Sequence, residues 1–325
     1  MSKIMACLLS VALLLIASIS MASCETEAQS KILNVGLLLG SGGLGDRSFN
    51  DSAYSGLLEA QQKYNIRFQT VNYSTAAANA DALRLFARSN YDLVIAVAYE
   101  NLDCLQTVAQ QFPAIKFAGI DFELAGNNVA SIVYREQEGD FLMGVLAAML
   151  TKTRSVGVIG GTDIPAIERI MSGFKQGVAY QDGGVSVFTD FAGTFSDPDV
   201  GLALALKHYN EGADIIHNAA SRTGLGIIQA AQQTGKLTTG TSGDQRYLAP
   251  GNVVGNRPKR VDTAVMMLVE EVRDGTFSAG TRSLGLKENG ISLGPFDPAL
   301  VTPAMQDRLD DLRQQIIDGK IVVKA

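Results

Sequence analysis

Chemistry in this chain would have to come from the polar and aromatic residues that directly follow its predicted strands. The first such group is Gly45-Asp46-Arg47-Ser48-Phe49-Asn50-Asp51. A phenyl ring in a polar, glycine-rich loop offers a face for stacking on a flat heterocycle. An amide and a carboxylate beside it offer a donor and acceptors to read the heterocycle's edge. The competing roles are ordinary ones, with Phe49 as a hydrophobic plug and Asn50 or Asp51 as the cap of the next helix. Capping uses one polar residue and the loop holds several, which favours a ligand role for Phe49 and Asn50, with Asp46 nearby. Tyr99, Asp121 and Asp244 stand at other strand ends. A carboxylate there suits two adjacent sugar hydroxyls and equally suits a helix cap or a turn, so each Asp stays open. Lys259, in Asn256-Arg257-Pro258-Lys259-Arg260, reads by itself as a solvated surface charge.

Catalytic and metal patterns are sparse. The only histidines are His208 and His217, which excludes a His-rich metal site, and Trp is absent. Gly40-Ser41-Gly42-Gly43-Leu44-Gly45 resembles a phosphate or dinucleotide loop but lacks the Gly-Lys-Ser/Thr of a P-loop and the GxGxxG spacing. No GxSxG, HExxH or CxxC occurs. His217 is the one plausible histidine base, with no paired nucleophile to complete a triad. The expectation from these patterns is no cofactor, no metal and no catalytic residues. Cys104 has no His near it in sequence and reads as a small core residue.

The elements that hold these residues alternate. Short apolar runs at 31–39, 67–72, 93–98, 116–120 and 129–134 read as strands, with helical spacing at 52–63, 79–88, 102–111 and 138–150 between and after them. A second series follows: strands at 156–159, 185–191, 215–218 and 237–241, and helices at 166–179, near 198–209 and at 223–233. Asp197-Pro198 looks like an N-cap with proline at the first helical position. Two βα series imply an α/β chain of two doubly wound domains with mostly parallel sheets. The tail, extended at 252–256 and 282–292 and helical at 261–274 and 302–317, has too few elements for a third domain and returns to complete the first two. In such sheets ligands sit beyond the carboxyl ends of strands, which is why those positions were singled out above.

The N-terminus adds an address. Lys3 precedes an uncharged apolar run to Ile19, and the segment closes on Ser20-Met21-Ala22-Ser23-Cys24 before the polar Glu25-Thr26-Glu27. A cationic start, an apolar core too short to span comfortably and small residues before a cleavage point describe an export signal over 1–23. Ala22-Ser23-Cys24 resembles a bacterial lipobox, in which the cysteine is acylated; Met21 departs from the usual leucine. Several acyl chains at about 0.8 kcal/mol per buried CH₂ anchor a protein stably. The alternative is a soluble secreted protein with a chance cysteine. Residues 24–30 would be the tether. The net charge of −6 gives no electrostatic footprint for nucleic acid.

Several separated motifs carry a resemblance. Asp46-Arg47-Ser48-Phe49-Asn50, Gly212-Ala213-Asp214-Ile215-Ile216, Thr223-Gly224-Leu225-Gly226, Gly243-Asp244-Gln245, Tyr247–Val253 and Lys259-Arg260-Val261-Asp262 look like the basic membrane lipoprotein family. That family comprises substrate-binding lipoproteins of ABC importers, and the match runs from about Lys31 to the C-terminus. The resemblance implies a type I periplasmic-binding-protein fold with three crossings, near Val133, Ser242 and Gly285. The first lobe would hold 31–132 and 243–284, and the second 133–242 and 285–325. It implies a monomer in the cell envelope, on a periplasmic or extracellular membrane face, serving an ABC permease and ATPase.

In the branch of purine nucleoside receptors, the resemblance puts Phe49 and Asn50 on the base, with Asp46 nearby. Asp121, Asp244 and Lys259 would bind the ribose, and Tyr99 stands at a further strand end. The family's second aromatic falls at His217, in His217-Asn218-Ala219-Ala220-Ser221-Arg222-Thr223-Gly224, so the ligand would lie between Phe49 and His217, with Arg222 near the pocket. Riboflavin and free purine bases are alternative ligands. An exported nucleoside hydrolase using Asp46 and Asp121, or a ligand sensor signalling to a membrane partner, are the rivals from other classes.

Overall fold

The computed structural model describes residues 32–73 and 75–325; the export signal and Cys24 lie outside the described residues. Eleven strands and nine α-helices occur among the described residues. The first series is β1 (Asn34–Leu38), α1 (Phe49–Tyr64), β2 (Arg67–Val71), α2 (Ala76–Arg88), β3 (Leu93–Val97), α3 (Leu102–Gln111), β4 (Lys116–Ile120) and β5 (Val129–Tyr134). The second is α4 (Glu136–Leu150), β6 (Ser155–Gly160), α5 (Pro165–Gln181), β7 (Ser186–Phe191), α6 (Pro198–Asn210), β8 (Ile215–Ala219), α7 (Gly224–Thr234), β9 (Leu237–Thr241) and β10 (Val253–Arg257). The tail adds α8 (Val261–Arg273), β11 (Gly280–Leu284) and α9 (Pro303–Ile317).

Two parallel sheets result, in the order β11-β5-β4-β3-β1-β2 and β10-β9-β8-β6-β7. Both orders reverse beside the first strand of the series, as doubly wound sheets do, and leave a crevice at the carboxyl ends. The apolar runs of β1, β3 and β4 are buried because helices cover both faces. Leu83, Phe86, Leu105 and Val108 from α2 and α3 form the core on one face of the first sheet, while α1 and α8 pack together on the other. In the second lobe α4 and α5 pack at backbone contact. A Cβ on Gly177 would lie 1.9 Å from the Phe141 carbonyl oxygen, and one on Gly144 would lie 2.1 Å from that of Phe174. Only glycine lets these helices approach so closely. Asp197 caps α6, accepting from the Asp199 and Val200 amides, with Pro198 at the first helical position.

The fold is the type I periplasmic-binding architecture, and the chain passes between its sheets three times: after β5, after β10 and after β11. The second passage corrects the sequence expectation. It lies at 258–260, not near Ser242, because β10 pairs in parallel with β9 and so extends the second sheet. Residues 243–257 therefore belong with the second sheet. That segment follows a strand and precedes a helix, and nothing in its composition says which sheet its strand will join. Among the described residues, no helix is long and apolar enough to cross a membrane.

Candidate functional site

The carboxyl ends of the two sheets face each other across a cavity. Phe49, Asn50, Tyr99, Asp121 and Lys259 line it together. Phe49 and Asn50 arrive as the first two residues of α1, so the end of β1 and the helix start aim them into the cleft. The backbone at four other strand ends is left-handed: Ala98 (φ 76°), Asp121 (φ 81°), Ser221 (φ 51°) and Ser242 (φ 63°). None is glycine, all four line the cavity, and each such conformation costs of order 1–3 kcal/mol that the surrounding fold must hold. Four of the nine non-glycine residues with positive φ among the described residues therefore line this cavity.

A buried ion cluster forms one end of the cavity. Lys259 Nζ donates to Asp121 at 2.6 Å and lies 2.8 Å from Glu136 Oε1, while Arg169 Nε donates to Glu136 Oε2 at 2.7 Å. The Lys259 ammonium also sits 5.4 Å from the Phe49 ring centre and 4.9 Å from that of Tyr134, where the rings' negative faces attract it. Burial raises the Asp121 carboxyl above its ordinary value, opposed by Lys259 and reinforced by Glu136. Burial pushes Glu136 the same way, but Lys259 and Arg169 together outweigh it and hold that carboxyl below its ordinary value. Four residues along α4 from Glu136, and hence on the same helix face, Asp140 accepts from Arg257 Nε at 2.9 Å and meets His217 Nε2 at 2.7 Å.

Three expected ligand residues stand elsewhere. Asp46 is fully buried. Its carboxylate accepts from the amides of Ser48, Asn50 and Asp51, from the Asn50 side chain and, across the cleft, from Ser221 Oγ at 2.8 Å. It organises the start of α1 and ties the lobes together. His217 is the second departure. Its ring is fully buried beneath the cavity, stacked on Phe174 at 5.0 Å and 4°, with Nδ1 at 2.6 Å from Thr239 Oγ1. It does not line the cavity; among the second lobe's residues, Ile164, Ile167, Ile170 and Phe195 do. Asp244 is the third, 43% exposed and paired with Arg246, which holds its carboxyl below the ordinary value.

Sequence reasoning missed Glu136, Asp140 and Arg257. The first two share one helix face, a signal visible in the i, i+4 spacing of Glu136-Gln137-Glu138-Gly139-Asp140. Arg257 sits two residues before Lys259 and so shares its side of an extended segment, but it gives no sign in sequence of being 1% exposed.

Comparison with known proteins places this geometry. The model of a family described as "ABC transporter substrate-binding protein PnrA-like" matches residues 33–325. Basic membrane protein A1 of Borrelia garinii is 30% identical over 321 residues, covering 96% of this chain and 94% of that protein. An uncharacterized lipoprotein of Pyrococcus abyssi is 33% identical over 289 residues, covering 84% and 72%. A solved ABC transporter solute-binding protein from Aeropyrum pernix aligns with a TM-score of 0.84 at 26% identity, covering 90% of this chain and 94% of that one. The matched family and the Aeropyrum pernix protein are both described as transporter solute- or substrate-binding proteins.

Proposed function

The chain belongs to the family of PnrA-like ABC transporter substrate-binding proteins, and from that footing we propose that it captures a purine nucleoside between its lobes and delivers it to an ABC permease. Membership implies a small-molecule ligand, permease and ATPase partners and work outside the cytoplasm. The lipid at Cys24 is our reading of the signal's end, and it agrees with relatives named lipoproteins.

One observation carries the nucleoside: the cavity has two chemically different ends placed a short distance apart. Phe49, Ile167, Ile170 and Phe195 supply flat apolar walls, as a base requires, and Asp121 with Lys259 supplies an acceptor and a donor, as sugar hydroxyls require. The 5.4 Å from Lys259 Nζ to the Phe49 ring centre suits a sugar attached to a base lying on that ring. Asn50 and Tyr99 complete the proposed contacts.

Calorimetric titration tests this with guanosine and guanine. Asp121→Asn should weaken guanosine about ten- to a hundredfold, the range of a charge-assisted hydrogen bond, and change guanine much less. Equal losses for both would overturn the ribose assignment. Tight riboflavin binding by the unaltered protein would move the ligand to a flavin.

A further inference from the structure

Among the polar side chains lining the cavity, Arg257 stands out. Its Nε is held by Asp140, yet Nη1 is buried with no partner in the protein. A buried charged donor without an acceptor is costly, and the residue that carries it lines the cavity. Asn50 makes the same demand. Its Oδ1 accepts from the Gly40 amide at 2.8 Å and its Nδ2 donates to Asp46 at 3.0 Å. Those two partners fix the amide's orientation, and what Asn50 has left for a ligand is one N–H. Both side chains therefore present donors.

Resting on the nucleoside reading, we propose that Arg257 is a specificity-determining residue that selects 6-oxopurine nucleosides by donating to the ring carbonyl. The 6-oxopurines present O6 and N7 as adjacent acceptors, the edge a guanidinium engages with two parallel N–H groups. Adenosine presents an amino group in place of O6 and sets donor against donor. Asp140, bonded to Nε and itself held by His217, keeps the guanidinium plane from turning to meet any other edge. Sites built around buried donors reject ligands lacking the matching acceptor far more strongly than apolar pockets reject a change in size.

The test is calorimetric titration of the full chain, stripped of co-purified ligand, with inosine and adenosine. The unaltered protein should prefer inosine by roughly ten- to a hundredfold. Arg257→Met with Asp140→Asn removes both charges together, so no lone charge is left buried, and thermal unfolding checks that this variant folds. It should weaken inosine and bring the two affinities within about threefold. Arg257→Lys, which keeps the charge but not the fork, is the second variant and should lose most of the preference. Equal weakening of both nucleosides would mean that Arg257 serves the sugar and would overturn the assignment. An unaltered preference in both variants would overturn it too. Failure of the unaltered protein to bind either nucleoside would instead sink the nucleoside reading, and this proposal with it.

Discussion

At the scale of single residues, the site divides into side chains that face the cavity and side chains that hold them. Phe49 faces it. Phe49→Ala should weaken guanosine about ten- to a hundredfold, since stacking is worth roughly 1–3 kcal/mol per base, and titration checks this; an unchanged affinity would return the ring to core packing. His217 holds the site from beneath. His217→Ala deletes a buried ring and removes one of Asp140's partners, so it should cost about 3 kcal/mol of stability. It should reduce nucleoside affinity less than Phe49→Ala does. Thermal melts beside titrations separate the two, and the reverse ranking would put His217 back against the ligand. Asp244→Ala, which breaks an exposed ion pair and removes one of the two acceptors of the Asn256 amide, should cost no more than about 1 kcal/mol of stability and leave nucleoside affinity within about threefold.

At the scale of elements, strand ends and helix starts do the positioning, and much of this was legible. Short apolar runs announced the buried strands such as β1, β3, β4 and β8, and of the residues the strand-end rule singled out, Phe49, Asn50, Tyr99 and Asp121 line one cavity. Chain direction was less legible. A strand such as β10 carries no mark of the sheet it will join, so the second crossing was expected some fifteen residues too early. Burial was the other gap. Asp46, at a strand end, has its carboxylate spent on α1 and on Ser221 rather than on a ligand, because five donors happen to converge there. The Asp46–Ser221 bond crosses the cleft, so its loss is expected to favour an open form. Ser221→Ala should weaken guanosine, inosine and guanine about equally, by roughly tenfold. Small-angle scattering should show a more open apo protein. An unchanged scattering profile would show that this bond does not hold the lobes.

At the scale of the whole molecule, the two lobes share a buried ion cluster whose charges all depend on one another. Glu136 is held below its ordinary value, so it stabilises the fold fully above its unfolded value near 4.5, and that contribution is lost as pH falls through the native one. Melting temperature should therefore drop on acidification below about pH 4.5, and Glu136→Gln should flatten that drop; an unaltered acid limb would mean other carboxylates dominate it. Tethering belongs to this scale as well. Cys24→Ser should release the protein into the soluble envelope fraction, and retention at the membrane after processing would rule out the lipid as the anchor. The reading of the molecule as a nucleoside receptor stands or falls on what the closed cavity holds. Mass spectrometry of the ligand released from protein purified without added nucleoside should find a purine nucleoside. A flavin, or a ligand with no flat ring for Phe49 to stack on, would contradict it.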